Sequence, residues 1–172
     1  NETGKVVANC HKLPARNFSR RRLSVEEIVN DYTSLLADLR QLNPNLKVIM
    51  TVSPIRHLKD GLHENQLSKS TLLLAIDQLQ ESFPEMVQYF PSYEIVMDEL
   101  RDYRFYADDM VHPSSIAIQY VWKCFSEVFF HSDTQQVIKE WQHISKALKH
   151  KPFREDSEDY KRFLRQIVLN IE

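Results

Sequence analysis

Glycine is scarce in this sequence. Only Gly4 and Gly61 occur in 172 residues, where average usage of about 7% would give about twelve. Phosphate-binding loops of the Walker type and dinucleotide-binding fingerprints each need several glycines within a short window. The scarcity therefore excludes both kinds of nucleotide-binding motif.

Cysteine and long apolar runs are also lacking. Cys10 and Cys124 are too few for a disulfide framework or a four-cysteine zinc site. No run reaches the roughly 18 apolar residues of a membrane-spanning helix, and no signal-peptide pattern follows Asn1. Free thiols without a targeting pattern predict a reducing, cytoplasmic location and no membrane partner.

The sequence has no excess of either charge. Lys and Arg total 22 against 24 Asp and Glu, which gives a net charge of −2. Such a balance provides no general attraction for nucleic acid or for an anionic membrane. The basic run Arg20, Arg21 and Arg22 is then expected to be a solvated patch. With 42% hydrophobic and 27% charged residues, the composition is that of a globular domain.

Strand-like and helical patterns alternate along the chain. Ser24 and Glu27 have the spacing of a capping box before an apolar stripe of helical period. Residues 46–52 are apolar on both faces, which is typical of an interior parallel strand. Further strands are predicted at 4–9, 87–90 and 93–97, and further helices over 66–83, from Pro113 onward and twice in the tail. This order predicts an α/β domain with a parallel sheet over 1–130 and a helical extension over 131–172.

Two tryptophans fall in predicted helices, one in the helix from Pro113 onward and one in the tail. Trp122 and Trp141 each lie on an apolar stripe of helical period. A large aromatic side chain on such a stripe normally belongs to the core. Both are therefore predicted to be core residues.

The carboxyl ends of the predicted strands are where ligands bind in open parallel sheets. The strongest candidate for a catalytic pair there is Asp109 and His112, spaced i and i+3 just before a predicted helix. A carboxylate that accepts from Nδ1–H would fix the imidazole tautomer and leave Nε2 as a base. The same spacing fits an ordinary helix N-terminus, where the helix dipole favours Asp. Spacing alone leaves both interpretations open.

The loop over 53–65 also carries chemistry-bearing side chains. His57 and His63 could bind zinc together with Cys10 or His11, since imidazole and thiolate are zinc ligands. No standard ligand spacing is present, however. A solvated polar connection is the alternative for this loop, and a buried thiol is the alternative for Cys10.

Several long motifs in a fixed order resemble the GSCFA family. They are Val7-Ala8-Asn9-Cys10-His11-Lys12, Thr51-Val52-Ser53-Pro54-Ile55-Arg56-His57 with Lys59-Asp60-Gly61, Asn65-Gln66-Leu67-Ser68-Lys69, Tyr89-Phe90-Pro91 with Tyr93-Glu94-Ile95, Asp98-Glu99-Leu100-Arg101-Asp102-Tyr103-Arg104-Phe105-Tyr106, and Asp109 with His112-Pro113. The resemblance covers about residues 4–130. That family is similar to the SGNH, or GDSL-like, hydrolases.

The resemblance implies a three-layer α/β/α fold and an esterase or acyltransferase that needs no metal or organic cofactor. It implies that Asp109 orients the imidazole and that His112 is the general base. Asn9, His57 and Asn65 become candidates for contact with a small-molecule or carbohydrate ester. The family's Gly-Ser-Cys-Phe-Ala segment, which should carry the serine nucleophile, does not occur in the 172 residues. We therefore expect the chain to represent the C-terminal portion of the domain.

Two other functions stay open at this stage. The first is a catalytically degenerate SGNH-like domain that binds a ligand or partner at the same cleft. The second is a metal-assisted hydrolase that would use His57, His63 and Asp109 as ligands.

Overall fold

The computed structural model describes residues 4–7, 13–149 and 157–169. The helices are α1 (Val25–Leu42), α2 (Leu62–Ser82), α3 (Ser92–Glu94), α4 (Ser115–Phe129), α5 (Ser132–Leu148) and α6 (Glu158–Leu169), and the strands are β1 (Val48–Met50) and β2 (Val87–Tyr89). Helix α3 continues as a π-helix over Ile95–Glu99. The chain divides into two compact units, Asn1–Ala117 and Ile118–Glu172.

Helix α1 begins at the predicted capping box. The Glu27 amide donates to Ser24 Oγ at 3.2 Å, and the Ser24 amide donates to Glu27 Oε2 at 2.9 Å. Arg21 also donates two hydrogen bonds to the Glu27 carboxylate. The bonds that the Glu27 carboxylate accepts from Arg21 and, second, from the Ser24 amide lower the pKa of Glu27 to about 2. The prediction of the helix start is confirmed.

Strands β1 and β2 form a two-stranded parallel sheet. Val48 lies opposite Val87, and Met50 lies opposite Tyr89. Helix α2 connects the two strands, and helix α1 packs against it. Two clusters of buried side chains lie among these elements; they are Leu36, Leu79, Met86 and Val87, and Val52, Ile76 and Tyr93. This arrangement is mainly helical and is compatible with the predicted α/β class.

The strand predicted at 93–97 is wrong. This segment forms α3 and the π-helix that follows it, and the Ile95 amide donates to the Pro91 carbonyl at 3.0 Å. Tyr93, Ile95 and Val96 are all buried. A short apolar run that is buried cannot be assigned to strand or helix from periodicity alone.

Two other strand predictions also need correction. Residues 4–7 have no regular structure and are exposed, and residues 8–9 lie outside the described residues. Strand β1 covers three residues of the predicted 46–52, and Ile49 is exposed. In the described part of the chain β1 has one neighbouring strand and exposes Ile49, so the described residues do not show the interior strand, buried on both faces, that its composition predicts.

The second unit contains α5, α6 and the part of α4 from Ile118 onward. An aromatic cluster forms where α4 ends, since Trp122 lies 5.7 Å from the rings of both Phe125 and Phe130. Trp122 and Trp141 are nevertheless 45% and 59% exposed. The prediction that both are core residues is wrong, because an apolar stripe is buried only where another element covers it.

None of the helices in the described ranges combines the length and the apolar character needed to cross a membrane.

Candidate active site

A tight loop before α4, the Asp109 loop (residues 105–114), carries the Asp109 and His112 pair. The Ala107 amide donates to the His112 carbonyl at 2.8 Å, and the Ser114 amide donates to the Phe105 carbonyl at 2.8 Å. At its tip Met110 has a φ of 60°, a left-handed conformation that is uncommon outside glycine. These backbone bonds close the loop.

The Asp109 carboxylate receives three hydrogen bonds within this loop. Its Oδ1 accepts from the backbone amides of Val111 at 2.9 Å and His112 at 3.0 Å. Its Oδ2 lies 2.6 Å from His112 Nδ1. The two backbone bonds fix the carboxylate, so the third bond fixes the imidazole. The predicted side-chain contact is present, and the catalytic roles of the two residues stay predictions.

The same bonds set the charge of the pair. Hydrogen bonds from the His112 and Val111 amides, followed by the bond from the His112 ring, lower the pKa of Asp109 to about 2. The carboxylate is therefore ionised at neutral pH and can only accept, so Nδ1 carries a proton and Nε2 of a neutral ring is an acceptor. The Asp109 and His112 side chains are 49% and 58% exposed. The pair is thus accessible to a reacting group.

Arg56 connects this loop to the segment that follows β1. Its Nη2 donates to the Tyr106 hydroxyl at 2.8 Å, and its Nη1 donates to the Met110 carbonyl at 3.3 Å. The guanidinium carbon lies 4.1 Å from the centroid of the Tyr106 ring, within cation–π range. Sequence reasoning missed this role, because the partners lie 50 and 54 residues away. Its position in the loop after β1, where ligand sites lie in parallel sheets, could have marked Arg56 as a site residue.

The structure also brings His57 and Asn65 together. The His57 amide donates to Asn65 Oδ1 at 2.9 Å, so the Asn65 side chain closes the loop before α2. The predicted contacts of His57 and Asn65 with a substrate are not addressed by this bond. The third predicted binding residue, Asn9, lies outside the described residues.

The arginine run predicted as a solvated patch is exposed but paired. Arg20 forms two hydrogen bonds to the Asp60 carboxylate, at 2.5 and 2.7 Å. Arg22 contacts Glu64 at 3.0 Å. Both acidic partners lie close to Gly61 in the sequence, so two of the exposed arginines form ion pairs with this part of the chain.

A buried lysine lies at the carboxyl end of β1. Lys69 on α2 is 3% exposed, and its Nζ donates to the Ser53 carbonyl at 2.6 Å. Burial lowers the pKa of the Lys69 amine. The buried Ser92 hydroxyl donates to the neighbouring Val52 carbonyl at 2.9 Å. Sequence reasoning missed both residues, although they hold the chain where it leaves the sheet.

The proposed metal ligands are not assembled. Within residues 4–7, 13–149 and 157–169, no three His, Cys, Asp or Glu side chains converge as a metal site would require. His57, His63 and Asp109 therefore do not form the site of the metal-assisted alternative. Cys10 and His11, which the zinc alternative also needs, lie outside the described residues.

Comparison with known proteins decides the family. A model of the GSCFA family matches residues 1–125. The chain belongs to the GSCFA family. A second model, described as the C-terminal domain of GSCFA domain proteins, matches residues 141–172. No curated protein and no solved structure matches the chain.

Proposed function

We propose that this GSCFA domain supplies the acid–base residues of an ester hydrolase or acyltransferase. The observation that carries the proposal is the 2.6 Å contact between Asp109 Oδ2 and His112 Nδ1. It is supported by the two backbone bonds that hold the carboxylate and by the exposure of the ring. A histidine oriented by an ionised carboxylate is the base that activates a serine hydroxyl.

The attacking hydroxyl in this proposal belongs to a serine outside the 172 residues. As the serine oxygen bonds to the ester carbonyl carbon, His112 Nε2 takes the hydroxyl proton, and the Asp109 carboxylate stabilises the imidazolium. The tetrahedral intermediate expels the alcohol, which receives that proton from His112. A water or a second alcohol then attacks the acyl-serine with the same base. Hydrolysis releases the acid, and transfer releases a new ester.

The fold of the whole domain is part of the same proposal. The parallel pairing of β1 and β2 and the packing of α1 on α2 support a layered α/β domain of the SGNH type. In such a sheet the loops at the carboxyl ends of the strands form the ligand site. The hydrogen bond from Arg56, in the loop after β1, to the Met110 carbonyl supports a shared site for that loop and the Asp109 loop. We propose a small-molecule or carbohydrate ester as the substrate.

The test uses the protein with its serine-bearing segment present. His112→Gln should lower the turnover of an activated ester by about 10²–10⁴, because a general base contributes that much. His143→Ala, a change on the surface of α5, is the matched control and should leave turnover unchanged. Unchanged turnover in His112→Gln would contradict the proposal. Binding of an acylated sugar without turnover by the wild type would favour a binding domain instead.

A further inference from the structure

A groove of about 740 Å³ lies between α4 and α5 in the second unit. Two tryptophans and four lysines are among its lining residues: Trp122, Trp141, Lys123, Lys139, Lys146 and Lys149. Its volume is in the range of about 300–1,000 Å³ that holds small ligands and short oligomers. The proposed catalytic pair is not among the residues that line it.

The lining is strongly positive. Among the described lining residues there are four lysines and one acidic residue, Glu127, which lies 3.8 Å from Lys123. Lys139, Lys146 and Lys149 take part in none of the ion pairs between described residues. A groove with this excess of positive charge complements an anion.

The positive charge is extended along the helix. Lys139 and Lys146 lie at i and i+7 on α5, and Lys149 is the C-cap residue at i+10, so the three follow one face of the helix towards its end. At 1.5 Å per residue this row is about 15 Å long. A single small anion cannot contact the whole row, whereas a chain with several acidic groups can.

The two tryptophans indicate what kind of polymeric ligand the groove would bind. Both indoles are half-exposed along the groove, and each offers a flat apolar face on which the C–H face of a sugar ring can stack. Glutamine and serine side chains in the lining, including Gln142 and Ser145, can exchange hydrogen bonds with hydroxyl groups. Among the described residues, the lining contains no arginine, the side chain best matched to phosphate and to nucleobase edges.

From these observations we infer that the groove binds an anionic oligosaccharide, one that carries carboxylate or sulfate groups. The lysine row pairs with the acidic groups, and Trp122 and Trp141 pack against the sugar rings. Neither Asp109 nor His112 lines the groove, and the inference does not rest on the proposed acyl transfer. It can therefore hold even if that proposal fails.

The experiment titrates the 172-residue chain while tryptophan fluorescence and heat release are recorded. The acidic probes are tetragalacturonate and a heparin tetrasaccharide. Neutral maltotetraose is the uncharged control, and an eight-nucleotide oligothymidylate represents single-stranded nucleic acid. At least one acidic sugar should bind with saturation, more tightly than maltotetraose and the oligothymidylate. Its affinity should fall as salt rises, because the contacts are ionic.

Variants locate the site. The double change Lys146→Gln and Lys149→Gln should lower the affinity for the acidic sugar about tenfold, which corresponds to a loss of about 1.4 kcal/mol of binding free energy. Trp141→Ala should weaken it to a similar extent, whereas Trp141→Phe, which keeps a flat ring, should retain most of the affinity. Lys161→Gln on α6 removes an exposed lysine outside the groove and should have no effect. Circular dichroism checks that each variant is folded.

Results of three kinds would overturn the inference. The first is the absence of saturable binding by both acidic sugars at millimolar concentration. The second is equal binding of maltotetraose, or an affinity that the lysine changes leave unaltered. The third is tighter binding of the oligothymidylate, which would assign the groove to single-stranded nucleic acid.

Discussion

The guanidinium of Arg56 stacks over the ring of Tyr106, 4.1 Å from its centroid, and also donates to the hydroxyl of that same residue. A second donor of the guanidinium reaches the Met110 carbonyl. One side chain thus contacts the Asp109 loop at its base and at its tip. The loop that holds the imidazole depends on a residue from the segment after β1, not on its own sequence alone.

Arg56→Met should loosen the Asp109 loop. The variant loses the stacking contact and the hydrogen bond to Tyr106, which together are worth about 1–2 kcal/mol at a half-buried site. Arg56→Lys should recover little of this, because an ammonium lacks the planar, forked donor geometry. Amide hydrogen exchange at Ala107 and His112 measures the opening of the loop.

Arg104→Met is the matched control for this prediction. Arg104 lies 5.1 Å from the Phe105 ring and is 72% exposed, with a long 3.7 Å contact to Asp102. Its removal should change stability by less than about 0.5 kcal/mol, as is usual for surface positions. Equal effects of the two changes would show that Arg56 does not hold the loop.

The Asp109 carboxylate should make the loop sensitive to acid. Its pKa is about 2 in the folded chain, against an ordinary value of 3.8. Because the folded pKa is the lower one, the ionised group stabilises the fold above about pH 4, and this contribution is lost as the pH falls towards about 2. Unfolding experiments from neutral to acidic pH should show that Asp109→Asn is less stable than wild type at neutral pH and equally stable at the acidic end.

The neighbouring change Asp108→Asn is a close control, since it removes an exposed carboxylate one residue away in the same loop. It should not reproduce the pH-dependent difference. If Asp109→Asn and Asp108→Asn behave alike across the range, the hydrogen bonds to Asp109 do not stabilise the ionised form.

Lys69 should give a pH dependence of the same sign, but at alkaline pH. Burial lowers the pKa of the Lys69 amine below its ordinary 10.5. Between the folded and unfolded pKa values the unfolded chain binds more protons, so stability rises with pH in that window. The free energy of unfolding of wild type relative to Lys69→Met should therefore increase as the pH rises towards about 10.5. Chemical denaturation at neutral and alkaline pH measures it.

Lys59→Met serves as the comparison for Lys69, because Lys59 is exposed in the loop before α2. The difference between wild type and Lys59→Met should stay constant with pH. A constant difference for Lys69→Met as well would mean that the Lys69 amine is not desolvated in the folded chain.

The capping box of α1 can be tested with two serine changes in and beside one helix. Ser24→Ala removes the acceptor for the Glu27 amide and should cost about 1 kcal/mol of stability. Ser34→Ala lies inside α1, where the Ser34 hydroxyl bonds back to the Asn30 carbonyl. That change should be neutral or stabilising, because alanine is the better helix former. Thermal unfolding distinguishes the two, and similar losses would argue against the cap.

Local patterns predicted the parts of the structure that depend on neighbouring residues. The Ser24 and Glu27 spacing located the start of α1, and the Asp109 and His112 spacing allowed a contact that one turn of chain can form. Neither needs information from elsewhere in the sequence. The contact of Arg56 with Tyr106 joins residues 50 positions apart, so it depends on how the elements pack.

Burial was the other quantity that pattern alone could not supply. The apolar stripes that carry Trp122 and Trp141 are real, but no described element covers these two rings fully. Tyr93, Ile95 and Val96 are buried as expected of apolar residues, yet they lie in helical turns instead of a strand. In both cases the composition correctly predicted an apolar surface, but it could not determine which element would pack against that surface.

The left-handed backbone at Met110 limits how this loop can evolve. The turn it makes is what aims the amides of Val111 and His112 at one carboxylate oxygen. Glycine or asparagine can occupy such a position at little cost, whereas valine or isoleucine would force the backbone out of it. Only a few residue types can therefore replace Met110 without disturbing the loop, although the Met110 side chain itself takes no part in the proposed chemistry.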